Sequence, residues 1–381
     1  MTSSGTTHDG AVDAGAAESS GTAESYGEAG RGDPFRLAGR RNRPKIAILA
    51  AAALLLAATS VTAVAVGASG ISLRDVGWAL WTRALGITIS TDELATQTVV
   101  WELRLPRVGL AVAAGAGLAV AGVVLQGLLR NPMVSPFTLG ISSAAAFGAS
   151  LTILFGDSSG RGSVGMVASA LGMALLCAGL LLGLSWLRQA SPVTLILVGT
   201  ALTYLFQALT STMQYIASEN QLSEIVRWSF GSVNAATWAQ VAAVGIPVLV
   251  ATALLIGQAG NLNAIAFAGD DAARSLGVHV PRTRLICSLL AVMLAAVIVS
   301  FTGVIGFVGL VAPHIARLLI GADHRFLLPF AAVAGAVLVL AADTAGRTLF
   351  SPAVIPVGIV VAFLGAPLFI NLILTRRRQF L

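Results

Sequence analysis

A chain of 381 residues that is 56% hydrophobic and 10% charged, with a mean hydropathy of +0.86, cannot face water on all sides, since soluble domains hold about a quarter charged residues. A soluble globular protein is excluded, and at roughly 20 apolar residues per crossing the length accommodates one membrane domain of about ten helices. The formal charge of +6 gathers at helix ends and near the termini, which points to a membrane surface and away from nucleic acid.

In chain order, residues 1–35 come first, a Ser/Gly/Ala-rich stretch holding six of the 17 acids (Asp9, Asp13, Glu18, Glu24, Glu28, Asp33) and one basic residue, Arg31. With almost nothing to bury, it is expected to be a disordered cytoplasmic tail. The remainder, 36–381, carries 22 basic against 11 acidic residues, Lys45 being its one lysine. Apolar runs follow near 44–68, 108–129, 137–155, 164–187, 193–217, 238–258, 285–302, 303–320, 326–346 and 354–374, ten candidate transmembrane helices. Arg36, Arg40, Arg41, Arg43 and Lys45 precede the first run, and Arg376, Arg377 and Arg378 follow the last. Both termini are therefore expected in the cytoplasm. A cleaved signal peptide is disfavoured, because the first apolar core is long and some forty polar residues precede it.

Between the first two runs, 69–103 mixes Trp78, Trp81 and Trp101 with Asp75, Asp92, Glu93 and Glu102, and is expected to lie along the outer surface with its indoles at headgroup level. The outer segment 218–238 repeats the mixture with Glu219, Glu224, Trp228 and Trp238. The longest inner connection, about 259–284, holds Asn261, Asn263, Asp270 and Asp271, then Leu276-Gly277-Val278 and Pro281. It reads as a short amphipathic helix ending at glycine. Pro132, Pro136, Pro313, Pro352 and Pro356 predict short or re-entrant helices around a cavity. Alanine and glycine runs such as Ala114-Gly115-Ala116-Gly117, Gly122 and Gly303-Val304-Ile305-Gly306 predict close helix packing.

Catalytic groupings are missing. There is no G-x-x-x-x-G-K-[ST] phosphate loop and no H-E-x-x-H or Cys/His cluster, so neither an ATPase site, a metal nor a cofactor is expected, and the chain reads as a non-enzyme. Cys177 and Cys287 lie in apolar runs as small hydrophobes. Asp343 is the one intramembrane carboxylate, with Arg347 four residues on, a spacing that makes a helical ion pair. A proton relay usually recruits more.

Several motifs together carry a family resemblance: Arg104-Leu-Pro-Arg107-Val-Gly, Gln126-Gly-Leu-Leu-Arg130-Asn131-Pro132, Pro136-Phe-Thr-Leu-Gly140, Trp228-Ser-Phe-Gly231, Leu276-Gly277-Val278, Gly303-Val-Ile-Gly306-Phe-Val-Gly309-Leu-Val-Ala-Pro313-His314, Asp323-His324-Arg325, Ala342-Asp343, Pro356-Val-Gly358 and Gly365-Ala-Pro367. From about residue 100 to the C-terminus the chain resembles the FecCD-type permeases, membrane subunits of ABC importers for iron-siderophores, haem and cobalamin. The resemblance implies an all-α polytopic protein with a cobalamin-importer-like permease fold of about ten transmembrane helices, multi-pass in the cytoplasmic (plasma) membrane. It implies separate ABC ATPase subunits, a second copy or paralogous permease as dimer partner, and an extracytoplasmic substrate-binding protein.

By the same resemblance, Arg104, Arg107 and Arg347 are expected to dock the binding protein, with Asp343 orienting Arg347. A segment near 268–284, with Arg274, Leu276 and Gly277, is expected to couple to the ATPase. Asn131, Met133 and Ser191 are candidates for a cytoplasmic gate. The family often has a glutamate two residues before the Pro356 proline, where this chain has Val354. The function implied is inward passage of an iron(III)-siderophore by alternating access, with haem or cobalamin as alternative cargo and an ion-coupled secondary transporter as the competing class.

Overall fold

A computed structural model describes residues 34–66, 71–87, 90–156, 164–188, 192–349 and 352–375. The tail expected over 1–35 lies, but for its last two residues, outside them. The chain divides into two units, Met1–Pro44 and Lys45–Leu381. Of the first, the described part is helical.

All described regular structure is helical: α1 (Pro34–Ala65), α2 (Leu73–Leu85), α3 (Thr91–Thr98), α4 (Leu105–Leu128), α5 (Ile141–Phe155), α6 (Val164–Arg188), α7 (Pro192–Ile216), α8 (Glu219–Ser229), α9 (Trp238–Gly257), α10 (Ala259–Asn263), α11 (Gly269–Ser275), α12 (Val280–Thr302), α13 (Val308–Ile320), α14 (His324–Thr348) and α15 (Val357–Thr375), with π-helical turns at Val99–Arg104 and Ala264–Ala268. Among the described residues, seven helices are long and apolar enough to cross a membrane, and Ile141–Phe155, Val308–Ile320 and Val357–Asn371 are shorter apolar helices. These are the ten expected runs. The short ones follow broken connections: Pro132 and Pro136 precede α5, Pro352 and Pro356 precede α15, and the turn before α13 carries Gly303 at φ +69 and Phe307 at φ +62.

The expectations for 69–103 and Pro313 need correction. Ser72 and Asp75 form a capping box that starts α2 as a separate outer helix. Yet α3 does not lie apart on the surface. It runs through the π turn into α4 as one helix, Glu93–Leu128, of 36 residues. At 1.5 Å per residue this is about 54 Å, well beyond the ~30 Å hydrocarbon core, so its N-terminal turns project outward. Pro313 breaks nothing; it sits inside α13, where neighbouring helices compensate for the lost backbone bond.

The core forms around α4, because its sequence is small-sided. In its most apolar window 72% is buried, against 6% for α1. It packs on α14, α12, α9 and α13. Gly115 faces the Gly335 backbone and Gly122 the Gly309 backbone, so tightly that a Cβ at either would collide with a carbonyl. Beside this core, α5 packs against α6 and α7.

Candidate functional site

Two regions hold the residues singled out by sequence, one at each end of α4. At its N-terminal end, the outer one in the expected orientation, Arg104, Arg107 and Arg347 come together with Asp343. Arg104 closes the π turn and is 7% exposed. Its Nη1 donates to the carbonyls of Val64 (2.6 Å) and Ala65 (2.8 Å). Arg347, near the end of α14, donates to the carbonyls of Val66 (2.6 Å) and Ala63. The two guanidiniums therefore serve the final carbonyls of α1, which have no partner within their own helix and concentrate partial negative charge.

Arg107 takes the carboxylate. Its Nε donates to Asp343 Oδ2 (2.9 Å) and its Nη2 to Asp343 Oδ1 (2.8 Å), a bidentate fork of the strong kind. Its Nη1 donates to Asn234 Oδ1. Arg347 Nε stands 3.8 Å from Asp343 Oδ2, so the expected intrahelical partner is the more distant one. Sequence reasoning missed Asn234, the α1 carbonyls and the Arg107–Asp343 pairing. Only the i,i+4 relation was visible, and the stronger pair is separated by 236 residues. The three guanidiniums thus tie α1, α4, α14 and the loop before α9 into one cluster, buried at Arg104 and Asp343 and open to the outside at Asn234.

Outside this cluster, Trp78 and Trp81 are exposed as membrane-surface anchors would be. Trp101 and Trp238 instead meet with ring centroids 5.5 Å apart, and Trp238 Nε1 donates to the Trp101 carbonyl (3.0 Å).

At the other end, α11 stops as a glycine-ended helix. Gly277 adopts φ +84, its N–H meets the Arg274 carbonyl (2.9 Å), and Val278 N–H meets the Ala273 carbonyl (3.0 Å). Leu276 is 70% exposed and Phe267, on the second π turn, 64%. Arg274 is exposed and pairs with Asp271. This end presents apolar and charged groups outward, with nothing of the described chain over them. Asp270, by contrast, is held by Arg284 (3.0 and 3.2 Å).

Asn131 and Met133 lie in the turn after α4. Asn131 Oδ1 accepts from the Met133 N–H (2.9 Å), which fixes the turn, while Met133 itself is exposed. This turn neighbours the α11 segment: a Cβ on Gly269 would stand 3.1 Å from Arg130 Nη1. Ser191 lies outside the described residues. Among the described residues no group of three or more His, Cys, Asp or Glu side chains is placed to hold a metal ion.

Residues 53–375 match the FecCD transport family. The chain is 40% identical over 292 residues to the hemin transport system permease protein HmuU of Yersinia pestis, covering 75% of this chain and 87% of that one. It is 38% identical over 325 residues to the molybdate import system permease protein MolB of Haemophilus influenzae, covering 84% and 94%. Among solved structures it resembles a metal-chelate type ABC transporter in an inward-facing conformation, with 35% identity, a TM-score of 0.75, and coverage of 86% of this chain and 99% of that one.

Proposed function

Since the chain belongs to the FecCD transport family and is a membrane-embedded ABC importer permease, we propose that it moves an iron(III)-siderophore complex inward by alternating access, powered by separate ATPase subunits. The observation that carries this reading is the match, over most of both chains, to a metal-chelate type transporter. The hemin permease among the relatives favours a second reading in which the same machinery carries haem. An ion-coupled carrier gains no support: Asp343 spends its charge on two arginines. Cargo is tested in proteoliposomes of the complete transporter with ATP inside and its binding protein outside. Ferric siderophore should accumulate and haem should not compete; haem uptake without siderophore uptake would select the second reading.

The coupling role belongs to the exposed α11 end. Phe267 and Leu276 offer apolar contact, and Arg274 a charge, to a cytoplasmic ATPase. Gly277 shapes this end, since an L-residue in the left-handed region costs about 1–2 kcal/mol. A Gly277→Leu chain should assemble normally but lose transport about tenfold, by misplacing Leu276 by an amount worth about 1.4 kcal/mol of the coupling contact. ATP hydrolysis should continue uncoupled. Transport and hydrolysis both at native levels would remove Gly277 from coupling. Residues 36–381 form the permease domain in this reading, with Asn131, Met133 and Ser191 at the cytoplasmic constriction of a path shared with a second permease chain.

Docking of the binding protein is assigned to the outer cluster in a form its burial allows. Arg107, at 14% side-chain exposure, is more open than Arg347 at 9%, and Arg104 is more enclosed still. Arg104 and Arg347 then hold the platform while Arg107 faces the partner's carboxylates. Arg107→Glu should weaken docking by an order of magnitude or more, given the 2–5 kcal/mol typical of a truncated interfacial charge pair. The melting temperature is measured alongside. Because Arg107 also holds Asp343, the variant should melt lower; lost docking at a temperature where it is still folded supports contact, and native docking excludes it.

A further inference from the structure

Behind the turn after α4 lies a cavity of about 230 Å³, lined by Gln126, Arg130, Asn131, Phe267, Arg317 and His324 among others. One buried water needs only ~10–15 Å³, so the space suits a polyatomic group. It is open at one side, between the C-terminal end of α4, the second π turn and the start of α14.

Its charge is one-sided. Among the described residues neither Arg130 nor Arg317 is paired with a carboxylate. Arg317 Nη2 donates to Gln126 Oε1, and Gln126 Nε2 in turn donates to the Gly309 carbonyl (3.2 Å). That chain of bonds holds the guanidinium without neutralising it. The nearby carboxylates are engaged elsewhere. Asp270 takes Arg284 and Asp271 takes Arg274. Asp323 accepts from Asn263 Nδ2 (2.7 Å) and the Arg325 N–H (3.1 Å). Burial opposes its charge, yet these bonds and the nearby Lys45 and Arg325 hold its pKa below the usual carboxylate range. Asp323 is thus a charged carboxylate next to the lining residues Ala322 and His324, and is not itself part of the lining.

His324 is oriented by the same group. Asn263 Oδ1 accepts from the His324 backbone N–H (2.9 Å) and lies 2.7 Å from Nδ1. An amide oxygen only accepts, so Nδ1 carries the proton and Nε2 is left towards Gly127 and the cavity. The start of α14 borders the cavity with its Arg325 N–H already capped by Asp323. Pro132, Ala266, Phe267, Ala322 and Leu327 make the rest of the wall apolar.

Two arginines with no counter-charge among the described residues, in an apolar-walled cavity at the cytoplasmic end of the helices, match the chemistry of basic interhelical pockets that hold anionic headgroups. We propose that this cavity binds a phosphate group, of an anionic phospholipid or free in solution, through Arg130 and Arg317. The bound anion braces the turn of Asn131 and Met133 against the π turn carrying Phe267.

The test uses the full-length chain purified in mild detergent, with phosphatidylglycerol, phosphatidylcholine or inorganic phosphate as probes and lipid retention read by native mass spectrometry. Phosphatidylglycerol should be retained over phosphatidylcholine, and Arg130→Gln and Arg317→Gln should each lower retention about fivefold, from ~1 kcal/mol per basic group. Arg282→Gln, an exposed arginine at the same end but outside the cavity, should leave it unchanged. If inorganic phosphate displaces the lipid in proportion to the two arginines, the phosphate group alone suffices; if it does not, the lipid's glycerol and chains contribute. Equal retention of both lipids together with no response to phosphate, or native retention in Arg130→Gln, would overturn the proposal. Arg130 makes no side-chain hydrogen bond that folding depends on among the described residues, so its variant carries the test if Arg317→Gln fails to fold.

Discussion

Replacing Asp343 by alanine is expected to give the largest loss of stability of any single side-chain change in the outer cluster. Asp343 is 3% exposed and carries the fork from Arg107 as well as the longer contact with Arg347. Removing one partner of a buried pair costs about 3–5 kcal/mol, because the charge left behind has lost its compensation. Here two cations are left. Arg347 keeps its α1 carbonyls, whereas Arg107 keeps only Asn234. The loss should therefore fall mainly on the joint between α4 and α14. Asp343→Asn retains an acceptor for one Arg107 N–H and should lose less. Thermal melting in detergent, followed by tryptophan fluorescence, should rank native above Asn above Ala. An alanine variant melting with the native chain would show that the cluster is incidental.

The second large effect is expected at Gly122. A Cβ there would lie 2.8 Å from the carbonyl carbon and Cα of Gly309. Those atoms belong to the backbone of α13, and no flexible side chain can yield. Gly122→Val must push α4 and α13 apart, and overpacking of a tight contact costs typically 1–3 kcal/mol, occasionally more. Because α13 also carries Arg317, which is bonded to Gln126 on α4, the displacement reaches the cytoplasmic cavity. Transport should fall with stability. Gly172→Val on α6 is the matched control, since a Cβ there meets nothing within 4 Å; it should change little. Equal behaviour of the two variants would contradict the claim that glycine at 122 is required by helix approach.

These positions mark where the sequence is transparent and where it is not. Apolar runs locate the helices because lipid leaves no other way to satisfy the backbone. The end of α11 was readable for a local reason: glycine tolerates the left-handed turn that a helix needs to stop. The fusion of α3 with α4 was hidden, because Thr91 to Arg104 is polar enough to resemble a surface stretch, while helical hydrogen bonding continues through it with only a π turn. Long-range pairs were out of reach. Nothing in the composition around Arg107 announces Asp343 or Asn234, and nothing about Arg104 announces the carbonyls of α1. The family motifs named the arginines, and the fold shows that all three spend donors inside the protein, Arg104 and Arg347 on the α1 carbonyls and Arg107 on Asp343 and Asn234.

In the proposed function this permease draws its driving force from ATP hydrolysed by partner subunits. The direct measurement is uptake of ferric siderophore into proteoliposomes holding the complete transporter, with its binding protein outside and ATP inside. Accumulation that requires both ATP and the binding protein, and that persists when a protonophore collapses the proton gradient, is the predicted result. Accumulation driven by a proton gradient in the absence of ATP would contradict it.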